Sequence, residues 1–144
     1  MSPETLFQVA NIVVLTGWAA LLASPFVPKF ADRFASFAVP GLLSVAYAGL
    51  ILAFWTRAEG GFGSLDDLAL LFRTPEILLA GWLHYLAYDL FVGAWIVRRA
   101  REQGMPFAMV LPTLPLAFLF GPIGFLAFLI LSGVRRDRTA TVAA

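Results

Sequence analysis

The amino-acid sequence predicts an all-α, polytopic membrane protein, a four-helix transmembrane bundle that forms one domain over residues 1–144. Hydrophobic residues make up 60% of the chain and its mean hydropathy is +0.85, whereas a soluble domain is usually about 45–50% apolar. Charged residues are also absent from residues 5–28, 34–56 and 103–134, and only Asp89 interrupts residues 77–97. Each interval is long enough for one span, which needs about 20 residues.

These intervals place the spans, and the links between them are short except for the second. That link has glycines at positions 60, 61 and 63, which break the chain, and then Ser64 as a helix N-cap with acidic residues in the first turn. A short interfacial helix is predicted near residues 65–72, because its apolar side chains share one side at helical spacing. The spans are predicted at about residues 6–23, 37–55, 77–97 and 107–131.

The fourth span carries residues that disturb a straight helix. Pro112, Pro115 and the Gly121-Pro122 pair remove backbone donors or add conformational freedom, so a kink near Gly121 is predicted. Two alternatives are a broken helix whose freed carbonyls face a cavity and a re-entrant segment that returns to its own side. With four full spans, each side of the membrane carries five Lys and Arg residues. With a re-entrant last segment, one side carries eight Lys and Arg residues and the other carries two. The side that carries Lys29 is expected to be cytoplasmic, since the first helix usually dominates topology.

The third span carries the only histidine, His84, and a carboxylate, Asp89. At 100° per residue around the helix axis, one arc of about 140° that starts at His84 also contains Tyr88, Gly81, Tyr85 and Asp89. This polar arc should face the bundle interior. A carboxylate in the middle of a membrane helix costs about 2.5–3.5 kcal/mol and therefore needs a partner, a proton or water.

Two interpretations of this arc stay open. In the structural one, Asp89 belongs to a polar knot that joins the helices through Tyr85, through Asn11 of the first span or through Tyr47 of the second. In the functional one, His84 and Asp89 are catalytic, because a histidine beside an acid in a buried arc is suited to proton transfer. The expected substrate-binding residues are then Tyr85, Tyr88, Gly81, Asn11 and Tyr47.

Composition excludes several classes of function. The formal charge is only +1 and no basic tract is interleaved with aromatic residues, so no nucleic-acid partner is expected. With no cysteine and one histidine, a single chain has no disulfide, no thiolate nucleophile and no zinc site of the Cys/His type. No metal site and no cofactor are predicted.

Two strings in the sequence are similar to a known family. They are GWLHYLAYDLFVG at residues 81–93, followed by Trp95-Ile96, and FGPIG at residues 120–124. Together with the size of the chain and its number of spans, they resemble the abscisic-acid-deficient-four-like membrane proteins, whose plant members are associated with neoxanthin synthesis. The resemblance implies a role in carotenoid metabolism.

In the plant reaction an epoxy-carotenoid is rearranged to an allenic alcohol without net oxidation or reduction. Such a step needs one acid and one base, and the resemblance carries His84 and Asp89 into these roles without deciding which residue is which. It demands no cofactor. The expected partners are membrane lipid and a hydrophobic polyene or isoprenoid ligand.

The leading hypothesis from the sequence is therefore an intramembrane carotenoid isomerase. The alternatives are a noncatalytic pigment-binding or assembly protein and a small transporter. The compact composition, rich in Ala, Leu and Arg, favours a multi-pass protein of a bacterial inner membrane. A homodimer is left open, since four helices around one polar arc are few to enclose a long ligand.

Overall fold

The computed structural model describes the backbone of residues 2–142 and the side chains of residues 2–135. Every regular element in this range is helical, which confirms the predicted all-α class. The elements are α1 Pro3–Leu22, α2 Pro28–Arg33, a π-helix Phe34–Ala38, α3 Val39–Phe54, a 3₁₀ turn Trp55–Arg57, α4 Leu65–Leu71, α5 Pro75–Glu102, α6 Phe107–Val110, α7 Thr113–Leu119 and α8 Gly121–Val142.

Three of the helical segments are long and apolar enough to cross a membrane. They are Pro3–Leu22, the continuous run Pro28–Arg57 and Pro75–Glu102, and they contain the first three predicted spans almost completely. The third segment, α5, has 28 residues and is about 42 Å long. It extends beyond the predicted end of its span because the charged side chains after Val97 lie at the end of the bundle, where Arg99 pairs with Glu102.

A π-helix joins α2 to α3 because a proline follows it. Pro40 has no N–H, and its ring would clash with the carbonyl of Ser36 in a regular α-helix. The backbone N–H of Val39 instead bonds to the carbonyl of Phe34, five residues earlier. The extra residue in this turn lets one continuous helical segment pass through the proline, and it places the buried Ser36 near Arg98 of α5.

The predicted fourth span is divided into two arms at Phe120. Its backbone angles, φ −147° and ψ 67°, are not helical, and the arms are Phe107–Leu119 and Gly121–Arg135. The helix cannot continue through Pro122, since the ring would meet the carbonyl of Phe118, whereas a proline is well suited to the first turn of a new helix.

The two arms fold back on each other as a helical hairpin. A Cβ atom at Gly124 of α8 would overlap the backbone of Ala117 in α7. At the far end, Arg135 Nη2 donates to the carbonyl of Gly104 at 3.0 Å, so α8 returns to the loop from which the first arm begins. This arrangement corresponds to the re-entrant alternative and differs from the single kinked span predicted for residues 107–131.

Helix α5 is the centre of the fold and contacts α1, α3 and both arms of the hairpin. Its Leu90 is fully buried against Gly17 of α1, and the ring of Trp18 lies directly against Gly93. Ser64 caps α4 by accepting from the Asp67 N–H at 3.1 Å, as the sequence predicts. The position of α5 decides which neighbour each of its polar side chains meets.

Candidate functional site

The polar arc of α5 is divided between two neighbours. His84 and Tyr88 lie in a groove beside α3, whereas Tyr85 and Asp89 meet the tip of the hairpin. The structure therefore does not bring His84 and Asp89 together, although they are only five residues apart. An arc of about 140° is wide enough for the two side chains to contact different helices.

The groove between α3 and α5 is built around the imidazole ring. The His84 ring stacks on Tyr88, with centroids 4.5 Å apart, and lies 5.9 Å from the ring of Tyr47. This part of the groove has a volume of about 300 Å³ and a second part of about 210 Å³ continues along α5 to Phe91. The two parts share Ser44, Ala87 and Tyr88, so they form one groove, called here the His84 groove.

The His84 groove combines one imidazole with three hydroxyls on an otherwise apolar surface. His84, Tyr88 and Ser44 are exposed and Tyr47 is half-buried. Among residues 2–135 none of these four side chains hydrogen-bonds to another protein group, so all four are free to meet a ligand. A neutral imidazole has one donor and one acceptor nitrogen and can therefore take up or deliver a proton.

The tip of the hairpin is held by two side chains that are one turn apart on α5. The Tyr85 hydroxyl donates to the carbonyl of Leu119, the last residue of α7, at 2.7 Å. The Asp89 carboxylate faces the backbone N–H of Gly121, the first residue of α8, and also interacts with the Tyr85 hydroxyl. These two side chains and their two backbone partners are called here the α5 clasp.

The α5 clasp explains why a membrane-compatible helix carries a carboxylate. Helix ends leave backbone groups without partners, and in an apolar environment such groups are costly. Asp89 supplies an acceptor to the positive end of α8, while Tyr85 supplies a donor to the negative end of α7. Asp89 is 7% exposed and lies about 21 Å from the start of α5, half-way along it.

One oxygen of Asp89 remains without a partner. Asp89 Oδ2 is buried and has no hydrogen bond among the described residues, whereas Oδ1 lies so close to Gly121 that a Cβ atom there would overlap it. The predicted partners on the first two spans are engaged elsewhere: Asn11 accepts from Trp82 Nε1 at 3.1 Å, and Tyr47 packs on His84. The polar knot therefore forms between Asp89, Tyr85 and the hairpin.

The predicted site residues thus fall into three groups. His84, Tyr47 and Tyr88 meet in the groove, and Tyr85 and Asp89 meet in the clasp. Asn11 and Gly81 join neither group, since Asn11 binds Trp82 and Gly81 lies against the ring of Phe72 beside α4. Among residues 2–135, no three His, Asp or Glu side chains come together as metal ligands.

Two contributors to these sites are not among the site residues predicted from the sequence. Ser44 lines both parts of the groove, and its position one turn before Tyr47 was the available signal. The backbone of Leu119 and Gly121 completes the clasp, and the Gly121-Pro122 pair signalled a break but not the residues that would satisfy it.

Two different replacements of Asp89 distinguish its role as a hydrogen-bond acceptor from the effect of its charge. Asp89→Leu should lower the free energy of unfolding by about 1–3 kcal/mol, because it leaves the Gly121 N–H unsatisfied in an apolar setting. Asp89→Asn keeps an oxygen acceptor and should lose less than half of that. Thermal unfolding of the purified variants in one detergent measures both changes. Equal losses in the two variants would refute the capping role.

The arrangement defines a class of protein: an all-helical protein of the membrane type, in which a long central helix carries a histidine in a groove and clasps a helical hairpin. A family model described as ABA DEFICIENT 4-like matches residues 5–128. The chain belongs to the ABA4-like family, which confirms the resemblance seen in the sequence. Comparisons with curated proteins and with solved structures give no match.

Proposed function

We propose that this protein binds a carotenoid or a related isoprenoid within the membrane and isomerises it by acid/base chemistry in the His84 groove. The observation that carries the proposal is the exposed imidazole of His84, which lies among three hydroxyls on an otherwise apolar and aromatic surface. Membership of the ABA4-like family supports the class of substrate, since its plant members are associated with neoxanthin synthesis.

The position of the groove suits one end of a linear polyene. His84 lies about 14 Å from the start of α5, and Phe91 follows about 10 Å further along the helix. A polyene parallel to α5 would place its end ring beside His84 and its conjugated chain against Ala87 and Phe91. The oxygenated end ring would then lie in the half of the bundle nearer the start of α5, where the hydroxyls of the groove can bond its oxygen.

The proposed reaction of an epoxide end group requires one protonation and one deprotonation. The epoxide oxygen gains a proton as its C–O bond breaks, and a polyene carbon loses a proton whose C–H electrons form the second double bond of the allene. No electrons leave or enter. Neutral His84 takes the proton from carbon, and the hydroxyl of Tyr47 or Tyr88 protonates the oxygen. Proton transfer from the imidazolium to the phenolate then restores both groups.

In this proposal Asp89 positions the hairpin and does not serve as the partner of His84. It faces the hairpin tip, whereas His84 faces α3. The catalytic role predicted for Asp89 is tested by the folded Asp89→Asn variant. Loss of turnover in that variant would give Asp89 a part in the proton transfer.

A second candidate function is pigment binding without chemistry. A cavity of about 430 Å³ lies between α1 and α3, and a glycine and apolar residues form its whole lining. Such a cavity can hold an apolar chain but offers no group that transfers protons. Its lining includes Leu6, Val9, Ala10, Val13, Leu43 and Leu50.

Pigment analysis of carotenoid-producing hosts with and without the protein tests both functions. The hosts should differ in whether they make epoxidised or plain carotenoids, and pigments are compared by chromatography and mass spectrometry. A new product of unchanged mass that requires the protein supports the isomerase. A pigment that copurifies unchanged supports the binding protein. If no host yields a product or a bound pigment, both functions are refuted.

A further inference from the structure

A small cavity lies where the ends of α1 and α5 meet the beginning of α6. Its volume is about 90 Å³, and its polar lining residues are Ser24 and Arg101. Apolar side chains of Val97, Phe107 and Val110 form much of the remaining wall. The cavity lies at the end of the bundle where the hairpin arms begin and end, and it shares no lining residue with the His84 groove.

The end of the bundle that holds this cavity is strongly basic. Within residues 2–135 it carries six basic and two acidic residues, whereas the opposite end carries two basic and five acidic residues. The positive-inside rule therefore places the cavity at the cytoplasmic leaflet, which is rich in anionic lipid. The basic residues at this end are Lys29, Arg33, Arg98, Arg99, Arg101 and Arg135.

The two acidic residues at this end are already paired with other arginines. Asp32 pairs with Arg98 at 3.4 Å, and Glu102 pairs with Arg99 at 2.9 Å. Arg101 forms no ion pair within the described side chains, and it is the arginine that lines the cavity. Its guanidinium therefore has no anionic partner from the described residues of this chain.

The second polar group of the cavity is also unsatisfied. Ser24 is 1% exposed, and its hydroxyl has no hydrogen-bond partner among residues 2–135. Buried hydroxyls are nearly always bonded, so an unpaired one in a cavity wall points to a partner from outside the chain. A hydroxyl donor and a guanidinium in one small cavity suit an anion with several oxygens.

We propose that this cavity binds the phosphate of an anionic membrane lipid. Arg101 and Ser24 donate to the phosphate oxygens, and the apolar wall contacts the glycerol and the start of the acyl chains. A volume of about 90 Å³ is large enough for a phosphate group. This site does not depend on the isomerase proposal, since it shares no residue with the His84 groove.

The test measures binding of phosphatidylglycerol to the purified full chain, by native mass spectrometry and by the shift of the unfolding temperature. Arg101→Gln should weaken binding about tenfold or more, because it removes a charge-assisted hydrogen bond. Ser24→Ala should weaken it by a smaller factor. Arg33→Gln is the matched control, since Arg33 is an exposed arginine at the same end that does not line the cavity.

The control variant and two further ligands, phosphatidylcholine and inorganic phosphate, distinguish a lipid site from other kinds of binding. Unchanged binding by Arg33→Gln, weak binding of phosphatidylcholine and no competition by inorganic phosphate at millimolar concentration support a lipid site. An equal loss in Arg33→Gln and Arg101→Gln would overturn it in favour of diffuse charge. Displacement of the lipid by inorganic phosphate would overturn the lipid as the occupant. Unfolding temperatures without lipid show whether each variant is folded.

Discussion

Replacing His84 by glutamine is expected to lower the rate of product formation by about 100-fold or more, while the protein stays folded and still holds pigment. A general acid or base contributes about 100- to 10,000-fold to a rate, and glutamine offers hydrogen bonds but no transferable proton at neutral pH. His84 is exposed on the groove, so its replacement opens no cavity in the core. Initial rates per folded protein in isolated membranes measure the effect.

The neighbouring hydroxyls provide the comparison that locates the proton donor. Tyr47→Phe and Tyr88→Phe each keep the ring that packs on His84 and remove only the hydroxyl. The variant that lacks the donor should lose turnover, whereas the other should keep most of it. Gln8→Ala, an exposed polar position on α1 outside the groove, is the control for surface changes. Full turnover in His84→Gln would remove the imidazole from the chemistry.

Replacing Gly124 by alanine should lower the free energy of unfolding by up to about 2 kcal/mol. Its Cβ atom would overlap the backbone nitrogen and Cα of Ala117, so no side-chain rotation relieves the contact and the hairpin arms must move apart. Overpacking of this kind usually costs about 1–3 kcal/mol. The better helix propensity of alanine offsets part of that, by about 1 kcal/mol.

Gly133 in the same helix provides a control, because its replacement by alanine should raise the free energy of unfolding and not lower it. A Cβ atom there would meet nothing within 4 Å, so Gly133→Ala gains helix propensity at no steric cost. It should raise the free energy of unfolding by up to about 1 kcal/mol. Both variants are compared by denaturant unfolding in the same detergent. A Gly124→Ala variant as stable as Gly133→Ala would show that the arms are not packed against each other.

The elements that the sequence predicted well are those with local signals. Long intervals without charge coincide with the three long apolar helical segments, and Ser64 with acidic residues after it marks the beginning of α4. The hairpin was harder, because Gly121-Pro122 indicates a break but not its geometry. Whether the arms separate or fold back depends on distant contacts, those between Ala117 and Gly124 and between Arg135 and Gly104.

The site was predictable in its residue types and only partly in its grouping. Helical periodicity placed His84, Tyr85, Tyr88 and Asp89 on one broad face of α5, but the prediction that this face points into the bundle is wrong for His84 and Tyr88, which are exposed. Periodicity does not say which neighbour covers each part of that face. Here α3 flanks one edge of the face and the hairpin tip covers the other. Asp89 therefore serves the backbone at the start of α8, and a pattern of side chains does not reveal a backbone partner.

The close contact between Gly121 and Asp89 also constrains how sequences in this family can change. A side chain at position 121 and a carboxylate at position 89 would occupy the same space. Losing the carboxylate first removes the cap of α8, and gaining a side chain at position 121 first displaces the carboxylate. Either order of the two substitutions passes through a less stable intermediate sequence. The two positions should therefore be inherited together as a pair, with few relatives carrying only one of them.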